Sequence, residues 1–306
     1  MNLQLPLDLC AAVHAGALMF WFGALSLRRV LALEPHPVEA TALRLAGALA
    51  LASGVLWPFL QTGVALDDPG AALDPVQVAV VLRQTSFGRI WLQREALVAM
   101  AVGLASFSVL ESGRLVFLMV ACALGSIALL GHAAGVGGSA GWGQRLVLAA
   151  HLLAAGAWLG ALPLLWLSAR KLPRAVLANA LRRFSGYGVK LVAVVLVTGA
   201  LSAWWRMGAL QVMFTSGYGR ILLGKVGLVL LMGIAALLNR NRFNPALDPD
   251  GTGEVRSMQP RAPQFVPEAV RERARRGLIG SIGAEMTLGV FVVLLAFILG
   301  SAEAPR

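Results

Sequence analysis

Four histidines stand in this sequence, and three of them, His14, His132 and His151, fall inside long apolar runs. Imidazole is the commonest metal ligand among side chains and also an axial ligand of haem iron. An ionisable group inside a membrane is costly and usually faces the bundle interior, so three such histidines point to a site. The bland alternative for each is a hydrogen bond to a neighbouring helix. Cys10 and His14 are spaced i, i+4 and share one helical face, which sets a thiol beside an imidazole, a soft pair suited to copper. Met207 and Met213 add thioethers, which favour Cu(I), although methionine also serves as a gap filler and a buried thiol as a plain hydrophobe. The fourth histidine, His36, lies between Pro35 and Pro37 and has no assigned role.

Three charges also fall within apolar runs: Glu95, Lys225 and Glu285. Glu95 and Lys225 lie near run ends, where they can snorkel or pair. Glu285 lies deeper and is a candidate proton or ion relay, with a bond to a nearby arginine as the plainer reading. The sequence contains no phosphate-binding loop, no dinucleotide fingerprint, no HExxH and no Gly-x-Ser-x-Gly element.

The elements that must position these residues are membrane helices. The chain is 58% hydrophobic and 13% charged, whereas a soluble domain is about a quarter charged. A span needs roughly 20 mostly apolar residues. The runs 9–27, 43–65, 90–110, 115–133, 146–168, 187–207, 220–239 and 278–300 meet that need, so the expected fold is an all-α polytopic bundle of about eight transmembrane helices. A semi-apolar stretch at 76–82 is expected along the interface. The basic, proline-rich stretch 240–277 is expected to be a cytoplasmic loop, with a short helix near 268–276.

The net charge of +11 does not indicate nucleic-acid binding. The basic residues cluster in a few loops, as cytoplasmic loops do under the positive-inside rule. Loops after the first, third, fifth and seventh runs carry the excess, which places both termini in the periplasm. The residues before the first run hold no Lys or Arg, so that run is expected to be a retained helix rather than a cleaved signal. With this orientation the three intramembrane histidines share one depth in the outer third of the bilayer. Trp57, Trp91, Trp142, Trp204 and Trp205 then fall near the outer interface, as an aromatic belt would. Gly156 and Gly160 form a GxxxG suited to close helix packing. No internal repeat supports an inverted-repeat transporter.

Several motifs resemble those of one family, the copper resistance protein D (CopD) family. His151-Leu-Leu-Ala-Ala-Gly-Ala-Trp158-Leu-Gly160 resembles its H-x6-W-x-G helix, and Gly131-His132-Ala-Ala resembles the GHA element on the preceding helix. Thr85-Ser-Phe-Gly-Arg-Ile-Trp91 resembles its pre-helix segment. Arg183-Phe184-Ser185, Thr198-Gly199, Tyr218-Gly-Arg220, Lys225 and Asn239-Arg240 follow in the order of its second half. The likeness is good over roughly 80–247 and looser at the flanks. It implies an inner-membrane protein of copper handling, often working beside a periplasmic copper-binding partner of the CopC type. Because nothing precedes the first run, that partner is expected to be a separate chain. The implied copper roles fall on His132 and His151, and less firmly on His14.

Three functions follow. The first is a copper permease that captures the ion at the outer histidines. The second is a b-type cytochrome, with two of His132, His151 and His14 as axial ligands of haem b and small residues leaving room for the macrocycle. The third is a membrane scaffold that docks a periplasmic chaperone.

Overall fold

A chain in lipid must satisfy its backbone polar groups internally, and a helix does so within one segment. The computed structural model describes residues 3–31, 37–107, 113–130, 138–207, 210–243, 247 and 267–301, and among them no strand occurs. The helices are α1 (Gln4–Leu31), α2 (Pro37–Ala65), α3 (Pro75–Gln84), α4 (Ser86–Ala105), α5 (Arg114–Ser126), α6 (Gly138–Leu159), α7 (Leu162–Lys171), α8 (Arg174–Met207), α9 (Leu210–Thr215), α10 (Gly217–Leu238) and α11 (Glu268–Ser301). The protein is an all-α polytopic membrane protein.

Among the described residues, six helical stretches are long and apolar enough to cross a membrane: Gln4–Leu31, Val38–Ala65, Gly138–Lys171, Arg174–Met207, Gly217–Phe243 and Glu268–Gly300. The third and fourth expected spans correspond to α4 and α5. The first of these holds Arg94 and Glu95 in its middle, and the second ends with its trailing turn at Leu129. The fifth expected span is jointed at Gly160–Ala161, just before Pro163, whose missing N–H cannot continue the helical ladder.

Helix α1 forms the hub. It packs against α2, α5, α6, α7, α8 and α11, and 78% of its apolar window is covered by them, against 6% for α10. Its contact with α6 is made by glycines. A Cβ on Gly160 would overlap the Met19 carbonyl, and a Cβ on Gly23 would overlap the Gly160 and Gly156 backbone. Removing side chains at these positions lets two backbones touch. On the other side, Arg28 of α1 pairs with Glu39 of α2 at 2.5 Å, both buried.

Three expectations are corrected. The stretch near 268–276 is not a separate short helix but the beginning of the 34-residue α11. Its Arg275 donates to the Ala169 and Leu172 carbonyls at the end of α7, which anchors it. At the other end of the expected loop, residues 239–243 continue α10 as a π-turn; residues 244–246 and 248–266 lie outside the described residues. Finally, Trp57 and Trp91 are buried among helices rather than spread along a lipid interface. Both pack on the polar cluster described next, whereas Trp142, Trp204 and Trp205 are exposed.

Candidate metal site

Three helices converge on His14. From α2 come Ala50, Ser53, Gly54 and Trp57, spaced so that they line one helical face. From α4 come Trp91, Arg94 and Glu95, held at a fixed height because Thr85 caps the helix, its Oγ1 accepting from the Gly88 N–H at 3.1 Å.

The His14 side chain is fully buried. Its Nδ1 lies 2.9 Å from the Ala50 carbonyl oxygen. A carbonyl can only accept, so Nδ1 carries the proton and donates. In the neutral ring Nε2 is then a bare lone pair, and it has no hydrogen-bond partner. It faces Glu95 Oε1 at 3.7 Å, and neither Glu95 oxygen has a hydrogen-bond partner. Two acceptors thus oppose each other inside the bundle, with the Arg94 guanidinium beside the carboxylate, and a proton or a metal ion between them would satisfy both. Nitrogen or oxygen ligands sit about 2.0–2.2 Å from a first-row metal such as zinc, so a separation just under about 4 Å suits one shared ion.

The surroundings fix both groups. The first ring nitrogen is oriented by a backbone carbonyl, the arrangement that usually presents the second to a metal. Gly54 makes room for the carboxylate, since a Cβ there would overlap Glu95. Trp91 Nε1 donates to the Gly54 carbonyl at 2.8 Å and locks α4 to α2. The Arg94 guanidinium lies 4.6 Å over the Trp57 ring, with Nε 3.7 Å from Glu95 Oε1. Trp57 also meets the His14 ring edge-on at 5.5 Å. One turn towards the N-terminus, Cys10 donates to the Ser53 carbonyl at 3.2 Å.

The remaining candidates lie elsewhere. His151 of α6 is half-buried and turned to α8, with Nδ1 2.9 Å from Thr198 Oγ1. That hydroxyl donates to the Val194 carbonyl, so it accepts from His151 Nδ1, again leaving Nε2 as the lone pair. His132 and His36 lie outside the described residues. Met207 is buried at the end of α8, and Met213 is half-buried in α9. Glu285 is buried and accepts from Asn239 Nδ2 at 2.6 Å, beside the π-turn. Among the described residues no group of three or more His, Cys, Asp or Glu is clustered tightly enough to hold a metal alone. Sequence reasoning noted Glu95 as a paired or snorkelling charge but passed over Arg94 and Gly54. A charged pair inside a run otherwise apolar enough to span was the available signal.

The fold and this cluster define a class: a multi-pass helical membrane protein with an imidazole and a carboxylate sealed inside the bundle. Comparison with known proteins narrows it. The family described as "Copper resistance protein D" matches residues 178–299, and "Copper resistance protein D-like, N-terminal domain" matches residues 2–142. The chain is 30% identical over 240 residues to the inner membrane protein YebZ of Escherichia coli (strain K12), covering 75% of this chain and 78% of that one. It is also 30% identical over 179 residues to the copper resistance protein D of Pseudomonas syringae pv. tomato, covering 55% of this chain and 58% of that one. The chain belongs to the copper resistance protein D family. No solved structure matches it.

Proposed function

We propose that this chain is an inner-membrane copper permease that takes the ion on the periplasmic side. The observation that supports it is the buried His14 ring, with Nδ1 committed to the Ala50 carbonyl and Nε2 free before a carboxylate. Cys10 supplies a soft atom one turn nearer the N-terminus of α1. A periplasmic CopC-like chaperone, as a separate chain, delivers the cargo, and both termini face the same side as that partner. His151 and, from its place in the sequence, His132 provide further imidazoles, with Met207 and Met213 as thioethers. Glu285 with Asn239 is the polar pair at the opposite end, where it relays a proton or the ion.

Copper uptake into vesicles containing the purified protein tests the reading, with metal analysis and a visible spectrum of the same sample. The wild type should bind copper in preference to magnesium and accumulate it, and His14→Ala should lose at least about tenfold in affinity. Uptake and affinity that survive His14→Ala and the double His132/His151 replacement overturn it. A stoichiometric haem that disappears with these histidines puts the cytochrome in its place.

A further inference from the structure

The glycine contact between α1 and α6 has a symmetry of its own. Gly160 meets the Met19 carbonyl, Gly23 meets the Gly156 carbonyl, and Gly23 and Gly160 meet each other. Residue i touches j and the equivalent of j touches the equivalent of i, as across a two-fold axis. Gly156 is also met by Met19 Cγ at 3.4 Å and by Phe22, so the two helices run in the same direction. The letters obey the same operation. His14-x6-Trp21-x-Gly23-Ala-Leu-x-Leu27 in α1 matches His151-x6-Trp158-x-Gly160-Ala-Leu-x-Leu164 across the α6–α7 joint.

The correspondence extends through each half. Ser53-Gly54 on α2 matches Thr198-Gly199 on α8, and each hydroxyl lies beside its own histidine, at 3.5 Å and 2.9 Å from Nδ1. The short helix and capped helix that follow are built alike. Thr85 donates to Val81 and accepts from Gly88, while Ser216 donates to Val212 and accepts from Gly219. A Cβ on Gly88 would overlap the Leu82 carbonyl, and a Cβ on Gly219 the Met213 carbonyl, six residues back in both cases. Six residues on from these glycines stand Arg94 and Lys225, the same basic position in each unit. The cross-packing obeys the exchange as well: α5 lies against α6, and α11 lies against α1.

We infer that the chain is an internal duplication of two parallel units and that it carries two quasi-equivalent copper sites, one anchored by His14 and one by His151. This rests on the copper reading above and divides its single outer site in two. Each histidine belongs to its own unit, His14 bonded to α2 and His151 to α8, with the glycine axis between them. The sites differ in one respect that sets their order of filling. Glu95 follows Arg94, whereas Val226 follows Lys225, so among the described residues the first site has an anionic oxygen beside the imidazole and the second has none at that position. Carboxylate is a hard ligand, so the first site holds Cu(II) more tightly than the second, and Cu(I) distinguishes them less.

Copper per chain, measured on the full-length protein in lipid nanodiscs against a competing chelator, decides the matter. The wild type should bind two copper ions, His14→Ala one, His151→Ala one, and the double variant none. Thr198→Val, which removes only the hydroxyl that orients His151, should weaken one class of site about tenfold and leave the other unchanged, even if the alanine variants fold poorly. A wild type that binds only one ion, absent from both single variants, means one shared site, which overturns the duplication of sites while the copper reading stands. A wild type that binds only one ion, absent from His14→Ala but unchanged in His151→Ala and Thr198→Val, overturns it equally. No copper on the wild type overturns the copper reading itself.

Discussion

The two units hold a histidine at the same helical position and enclose it differently. Around His14 the helices close completely: the ring is fully buried, a carboxylate and a guanidinium are sealed beside it, and Trp57 lies against the ring and the guanidinium. Around His151 the enclosure is partial, and α8 and α10 leave most of their apolar length uncovered by protein, with 11% and 6% of their windows buried. The difference is one of position in the bundle. Helix α1 is surrounded by both units, so polar groups turned towards α2 and α4 are removed from lipid and water together. The α8–α10 side is the rim, where lipid completes the packing and a polar group needs only a local partner such as Thr198.

The largest effect should come from a buried charge in the first unit. Arg28 and Glu39 are both buried, so Glu39→Ala leaves a guanidinium without its partner and should cost about 3–5 kcal/mol. Arg174 with Glu268, an exposed pair, should lose nothing measurable on Glu268→Ala. Thermal unfolding in detergent compares the two, and equal shifts would break the contrast between sealed and open regions. Next comes the shared axis. Gly23→Ala and Gly160→Ala should each destabilise by about 1–3 kcal/mol, and by similar amounts, because each overlaps backbone that cannot yield. Gly224→Ala on α10 meets nothing within 4 Å and should be tolerated.

A smaller difference lies at the paired glycines of the sites. Gly54→Ala would displace the Glu95 carboxylate and should weaken copper binding in the first unit about tenfold. Gly199→Ala comes 3.3 Å from His151 Cε1, a distance a ring can relieve by a slight tilt, and should weaken the second unit by less than about threefold. Equal losses in a chelator titration would count against the carboxylate as a ligand.

The smallest effect concerns pH. The Val76 N–H bonded to Asp74 at 2.8 Å holds that carboxyl below the usual range. A depressed value means its capping of α3 is present above the unfolded value of about 3.9 and is lost as pH falls through the folded one. Amide exchange in α3 should therefore rise, relative to its intrinsic rate, as the medium is made acid below about pH 4. Helix α9, which has no acidic residue in its first turn or in the Met207-Gly208-Ala209 sequence before it, should show no such change.

Hydropathy alone located the six long apolar helices, because a span is a property of some twenty consecutive residues and needs no knowledge of its neighbours. The joint at Gly160–Ala161 and the length of α11 escaped it, since both depend on where one helix end rests on another, as Arg275 rests on α7. The repeat was hidden for a related reason. His14-x6-Trp21-x-Gly23 is written as plainly as its counterpart at His151, but small apolar letters fill every span, and the connections between matching positions differ in length in the two units. Only the sight of Gly23 against Gly160 gives those letters weight.

By itself, then, the sequence determined that the chain lives in lipid as helices, which residue types are rare there, and that Cys10 and His14 share a face. These are consequences of composition and of local periodicity. The tertiary structure decided which rare groups meet. It put Glu95 before His14 across residues 14 and 95 of two different helices, turned His151 towards Thr198, and set α1 at the centre. Such pairings depend on how helices cross, and the crossing is set by where small residues let backbones approach, a property of two surfaces together that neither segment carries alone.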